Sequence, residues 1–136
     1  MTRAARIAYP VLAWLFLVAL TAQIFIAGLA LFAGSENWAT HVNLGWIVHL
    51  LPIPVLLAAW LARAGRRHWQ WALALALVVF AVPLLVLARD AVPALAALHP
   101  VLAMVGAWLG FVVAIRSLEV LRAGDSATGP DSASAA

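Results

Sequence analysis

The sequence contains no cysteine and no lysine, and only 10% of its 136 residues are charged. The absence of cysteine excludes disulfide bonds, thiolate metal sites, iron–sulfur clusters and cysteine nucleophiles. All the basic side chains are arginines, and they lie mainly between apolar runs rather than in one basic patch. This distribution does not fit a nucleic-acid-binding protein, so nucleic acid is not an expected partner.

Hydrophobic residues make up 67% of the chain, far more than a soluble domain contains, so the lipid bilayer is the expected environment. A membrane-spanning helix needs about 20 apolar residues. Four such runs predict an all-α fold, an integral membrane up-and-down four-helix bundle within residues 1–124. The predicted spans are approximately 8–33, 38–62, 69–88 and 93–115. Residues 125–136 are small and polar, and this pattern predicts a disordered cytoplasmic tail.

The arginines predict how the bundle is oriented, because basic loops stay on the cytoplasmic side. Arginines precede the first span, fill the loop between the second and third spans, and follow the fourth span. Both termini are therefore predicted to be cytoplasmic. Arg89, in the loop between the third and fourth spans, is the exception, and Asp90 beside it offsets its charge.

Four polar residues within the spans can be placed by depth, using the helical rise of about 1.5 Å per residue. His41 and His99 each lie near the outer end of a span, at the same level. His49 lies eight residues after His41, which places it roughly 12 Å deeper. Gln23, counted back from the outer end of the first span, reaches a similar middle depth. The sequence thus predicts an outer level with His41 and His99, and a central level with His49 and Gln23.

Glycines accompany the histidines on their helix faces. His41, Gly45 and His49 spread over only about 80° of the second helix. On the fourth helix, Gly106 and Gly110 stay close to the face of its histidine. Small residues at these positions allow close packing of helices, or leave room for a flat ligand between two imidazoles.

The arrangement of the histidines suggests haem b, bound between transmembrane helices for electron transfer or haem handling. His41 and His99 are the predicted axial ligands of the haem iron, because they project from facing helices at matched depth. Arg89 and the amino-terminal ends of two helices lie where the haem propionates would point. The remaining residues predicted to line the site, or to exchange ligand roles, are His49, Gln23, Gly45 and Gly106.

Two other functions stay open at this point. The first is a non-catalytic membrane scaffold or accessory subunit, in which a hydrogen bond between His49 and Gln23 only fixes the helix register. The second is a pocket for a quinone or other lipid-like ligand, with the histidines as hydrogen-bond donors. His68, within the RRHW segment, is expected to be a solvated loop residue.

Other chemistries have less support in the sequence. Copper or zinc would normally take three or more protein ligands, and no carboxylate lies within the predicted spans. The spans contain no serine, and their only hydroxyl side chains besides tyrosine are Thr21 and Thr40, neither of which has an obvious base nearby. The sequence therefore does not favour an enzyme.

The segment QIFIAGLALFAGSENWATHVNLGWIVHLLPIPVLLAA, together with the later ALHPVLAMVGAWL, resembles domain-of-unknown-function family 6220, a group of short bacterial four-helix membrane proteins. The resemblance covers roughly residues 8–116 and rests on Gln23, Gly28, His41, Gly45, Trp46, His99 and Pro100. It implies the four-helix membrane fold and marks Gln23, His41 and His99, but it implies no reaction. The short H-V-x-L-G-W pattern is also similar to helix starts in membrane b-type cytochromes, where such histidines bind haem.

The resemblance also implies a location, the bacterial cytoplasmic (inner) membrane. A haem protein there would need a redox partner or a quinone, and the sequence names neither. The oligomeric state, as a homo- or hetero-oligomer, is likewise left open.

Overall fold

The computed structural model describes residues 3–126, and the chain in that range is almost entirely helical. The helices are α1 (Arg3–Phe32), α2 (Asn37–Leu50), α3 (Pro52–Leu61), α4 (Arg66–Leu87), α5 (Pro93–Ala96) and α6 (His99–Ser126). They form four spans that are long and apolar enough to cross a membrane, namely Arg3–Phe32, Asn37–Leu61, Arg66–Leu87 and Pro93–Ala123. The predicted all-α bundle is confirmed, and the protein is a multi-pass membrane protein.

The helices extend further than the apolar runs that predicted them. The first span begins at Arg3, and α6 continues past residue 115 to Ser126. Hydropathy marks only the segment that suits hydrocarbon, whereas a helix can continue beyond the bilayer where other helices support it. Of the predicted disordered tail, residues 127–136 lie outside the described part of the chain.

The second span is interrupted between α2 and α3, where the sequence predicts a kink. Pro52 and Pro54 lack the N–H groups that would continue the helical hydrogen-bond ladder. Leu51, between the two helices, keeps helical dihedral angles, with φ −60° and ψ −31°. Its N–H bonds to the carbonyl of Val48 at 3.3 Å, one residue nearer than in a regular α-helix. Pro83 lies inside α4 without ending it.

The fourth span is also interrupted, between α5 and α6, and the sequence does not predict this break. Pro93 starts α5, as its fixed φ angle suits a first helical turn. This helix ends at Ala96, and α6 begins at His99 after a short turn. His99 is therefore the first residue of a long helix rather than a residue in the second turn of a helix that starts at Pro93.

Packing is tight in most of the bundle and loose at one end. The helix α1 packs against α2, α3 and α6, and α4 packs against α3 and α6, whereas α2 has no extensive contact with α4 within residues 3–126. Fully buried side chains of the core include Tyr9, Phe16, Leu75 and Val113. The upper half, defined here as the half that contains the α1–α2 connection, is where α2 and α4 leave space between them.

Large apolar side chains cover the outside of the bundle, as expected where the solvent is lipid. Phe32 is 92% exposed and Leu87 is 71% exposed. In water such a surface would favour aggregation, whereas in a bilayer it contacts hydrocarbon.

Candidate functional site

A pocket lies in the upper half of the bundle, between the α1–α2 pair of helices and the α4–α6 pair. It has two lobes, of about 450 and 410 Å³, which are within the range of small-molecule sites. Both lobes are lined by Gln23, Trp38, His41, His49 and His99. We call the space around these five residues the central pocket. The structure thus brings together the three span histidines and the glutamine that the sequence singled out.

The two lobes open toward different sides of the bundle. The larger lobe continues between α1 and α6, along Ala27, Leu31 and Met104. The smaller lobe continues between α2 and α4, along Val42, Trp46 and Leu87. Their walls are mostly apolar, so the polar groups of the pocket are concentrated at the shared residues.

His41 and His99 are each anchored to the backbone of a neighbouring helix. Nδ1 of His41 lies 3.3 Å from the carbonyl oxygen of Gln23 in α1. Nδ1 of His99 lies 3.3 Å from the carbonyl oxygen of Val82 in α4. A carbonyl oxygen only accepts, so each Nδ1 carries the proton and donates it. In the neutral ring, Nε2 then keeps its lone pair.

Gln23 contacts His41 and not, as expected, His49. Its Nε2 donates to the carbonyl oxygen of His41 at 2.7 Å and lies 3.4 Å from Nε2 of the same residue. The predicted hydrogen bond between Gln23 and His49 is therefore wrong. The reason is Gly45, where an added Cβ would lie only 2.9 Å from the amide nitrogen of Gln23. Because glycine leaves that space empty, the glutamine amide lies against α2 one turn before His49.

His49 is anchored within its own helix. Its Nδ1 donates to the carbonyl oxygen of Gly45, which leaves Nε2 as an acceptor, as in the other two histidines. The ring also lies beside Trp46, with ring centroids 6.5 Å apart. All three span histidines therefore have the same protonated nitrogen and an unprotonated Nε2, which in His41 faces the amide nitrogen of Gln23 at 3.4 Å.

The glycines divide between the two roles that the sequence left open. Gly45 and Gly106 line the central pocket, each in a different lobe. Gly110 instead packs against α1, since a Cβ there would lie 2.7 Å from Cε1 of Phe16. Gly110 and Gly45 thus allow close packing, of α6 against α1 and of the Gln23 amide against α2, whereas Gly106 borders the pocket.

Arg89 lies where the sequence predicts a contact for an anionic group. It lines the smaller lobe, next to the end of α4. Its Nε is 3.6 Å from Oδ1 of Asp90, and both side chains are largely exposed. Such an exposed pair contributes little to stability, so the guanidinium can turn toward a ligand at low cost.

His68 is not a solvated loop residue, so that expectation is wrong. It lies in the first turn of α4, and its side chain is only 13% exposed. Its ring meets Tyr9 edge-on, with centroids 6.2 Å apart, and its Nε2 lies 3.7 Å from Oε2 of Glu119. The sequence missed this cluster because α4 begins earlier than predicted and Glu119 lies in the extension of α6 beyond residue 115.

A metal ion held by protein ligands alone is not supported. Among the described residues, no three histidine, cysteine or carboxylate side chains are placed to hold one. Haem differs in this respect, because the porphyrin supplies four nitrogens and the protein needs to supply only axial ligands.

A comparison with protein families gives a match for one part of the chain. This part contains the contact between Gln23 of α1 and His41 of α2, which packs over Gly45. Residues 23–89 match the family model of DUF6220, a family of unknown function. The match confirms the resemblance to this family within residues 23–89. The DUF6220 segment contains Gln23, His41, Gly45 and His49, whereas His99 lies beyond it. No curated protein and no solved structure matches the chain.

Proposed function

We propose that the protein binds haem b in the central pocket, with His41 and His99 as the axial ligands of the iron. The observation that carries this proposal is the matched anchoring of the two imidazoles. Each donates its Nδ1–H to a backbone carbonyl of a neighbouring helix at 3.3 Å, and each leaves Nε2 unprotonated. Metal-bound histidines are commonly held in this way by the other ring nitrogen, which sets the tautomer and the ring orientation.

The surroundings of the two histidines also suit a haem. The pocket is mostly apolar, and Gly106 adds no side chain to the wall of its larger lobe. The amino-terminal ends of α2 and α6 lie in the same half of the bundle, and the positive ends of their helix dipoles favour anionic propionates. Arg89 supplies a guanidinium beside the smaller lobe. His49 and Gln23 line the pocket without ligating the iron.

When bound, haem b supplies reversible one-electron chemistry, which suits electron transfer through the membrane or haem handling. The protein contributes the two imidazoles, their fixed tautomers and an apolar enclosure that limits water. Gln23 would support His41 directly, because its amide nitrogen donates to the histidine's own carbonyl oxygen at 2.7 Å.

The proposal is tested by absorption spectroscopy of the detergent-purified protein, expressed with an ensured supply of haem. The oxidised protein is expected to show a Soret band that shifts on reduction, with sharp bands of a six-coordinate haem b in the reduced form. A protein that carries no Soret band in either state would contradict the proposal and leave a structural scaffold as the better explanation.

We also propose that the protein resides in the cytoplasmic (inner) membrane of a bacterium, with both termini in the cytoplasm. The support is the placement of the arginines, which concentrate in the first turns of α1, around the connection between α3 and α4, and in the last part of α6. The upper half of the bundle, with the central pocket, then faces the outer side.

Cysteine labelling provides a direct test of this orientation, because the natural chain has no cysteine. Ser35→Cys, between α1 and α2, is expected to react with a membrane-impermeant maleimide in intact cells. Ala64→Cys, between α3 and α4, should react only after permeabilisation. The reverse pattern would overturn the predicted orientation.

A further inference from the structure

The side-chain oxygen of Gln23 is a buried acceptor without a partner. Gln23 is only 8% exposed, and its Oε1 has no hydrogen-bond partner within the described residues. The orientation of the amide is settled by its other end, because Nε2 lies 2.7 Å from a carbonyl oxygen that can only accept. A buried acceptor without a partner destabilises the folded protein, so we expect Oε1 to accept a hydrogen bond from a group in the central pocket. Gln23 lines both lobes of this pocket.

The histidines of the pocket, like Gln23 Oε1, present hydrogen-bond acceptors to it. Nδ1 of His49 and Nδ1 of His99 each donate to a backbone carbonyl. Their Nε2 atoms therefore accept. This reverses the expectation that the histidines would donate to a quinone, whose carbonyl oxygens also only accept. Together with Gln23, His49 therefore matches a ligand that carries its own O–H groups.

The pocket can be reached from the lipid phase. The smaller lobe runs between α2 and α4, which have no extensive contact with each other within residues 3–126. Trp46 and Leu87 border this gap, and they are 57% and 71% exposed. A ligand dissolved in the bilayer could enter here without crossing an aqueous phase.

We infer that the central pocket binds a membrane-dissolved hydroquinone (quinol), with Gln23 Oε1 accepting a hydrogen bond from a ring hydroxyl and His49 Nε2 as a second acceptor. The apolar walls suit the ring and its hydrocarbon tail, and the acceptors select the reduced form over the quinone. This inference does not depend on haem binding, because Gln23 and His49 are not the proposed iron ligands. Both lobes share the same polar residues, so haem and a hydroquinone would compete for the central pocket, and hydroquinone binding is measured on protein without haem.

The test compares three probes that share one shape: a decyl-substituted hydroquinone, its dimethyl ether and the corresponding quinone. Binding is measured under argon, from the rise in unfolding temperature of the detergent-solubilised protein as each probe is titrated. The hydroquinone should bind roughly tenfold more tightly than either of the others, since only it can donate. Equal affinity for all three probes, or a preference for the quinone, would overturn the inference.

Two variants test whether the preference for the hydroquinone depends on the proposed acceptors. Gln23→Met removes the acceptor while keeping the side-chain length, and it should reduce the preference for the hydroquinone to about parity. His49→Phe leaves the contacts between Gln23 and His41 intact and should reduce the preference in part. If both variants keep the full preference of the natural protein, these residues are not the acceptors and the inference fails.

The outcome is separate from that of the haem proposal. A hydroquinone preference in a protein without a Soret band would refute haem binding and support the quinol site. A Soret band in the haem-loaded protein, together with no preference among the probes in its haem-free form, would support haem binding and refute the quinol site.

Discussion

Purified His99→Ala protein is expected to contain no more than about a tenth of the haem of the natural protein, and His41→Ala should show a similar loss. Each substitution removes one of the two proposed iron–nitrogen bonds, and alanine offers no replacement. The loss is measured as the Soret absorbance per chain after expression with ensured haem supply. Circular dichroism of the same samples shows whether the helices are intact.

Two other histidines serve as matched controls for these variants. His68→Ala should keep its haem, because His68 contacts Tyr9 and Glu119 and does not line the pocket. His49→Ala should also keep the iron six-coordinate, since it lines the pocket as an acceptor only. Full haem content in both His41→Ala and His99→Ala would show that the assigned pair of ligands is wrong.

Gly110→Ala is expected to destabilise the bundle by about 1–3 kcal/mol, because the added methyl group overpacks the contact between α6 and α1. Its Cβ would lie 2.7 Å from Cε1 and 3.1 Å from Cδ1 of Phe16, whose side chain is fully buried. The measurement is the unfolding temperature of the purified protein in a fixed detergent.

Gly28→Ala is the matched control for this packing effect. A Cβ at Gly28 would have nothing within 4 Å, so the same chemical change gains helix propensity without a clash. The double variant Phe16→Leu with Gly110→Ala should recover part of the stability that Gly110→Ala loses. Equal unfolding temperatures for the Gly28 and Gly110 variants would contradict the packing described for α6 against α1.

The number and type of the spans could be predicted from the sequence because lipid imposes a simple requirement. Every backbone polar group within the hydrocarbon must be paired, so a long apolar run must be a helix. The break before His99 could not be predicted in this way. Ala97 and Leu98 are apolar and carry no turn signal, and Pro100 is compatible with the first turn of a helix as well as with a break.

The sequence could predict which residues line the candidate site, but it could not predict which of them contact one another. Polar side chains in an apolar span turn toward the interior, and in the structure Gln23, His41, His49 and His99 all line one pocket. Their partners depend on shifts of a single helical turn, which counting from the helix ends cannot resolve. The contact of Gln23 with His41 depends on the missing side chain of Gly45, and that effect appears only when α1 and α2 are packed together.

Low-temperature electron paramagnetic resonance of the oxidised protein tests most directly whether two imidazoles bind the same iron. The natural protein is expected to give a low-spin ferric signal typical of bis-histidine haem, and His99→Ala should convert any remaining haem to the high-spin form. A natural protein that carries only high-spin haem, or a low-spin signal that survives in both His41→Ala and His99→Ala, would contradict the proposed ligation.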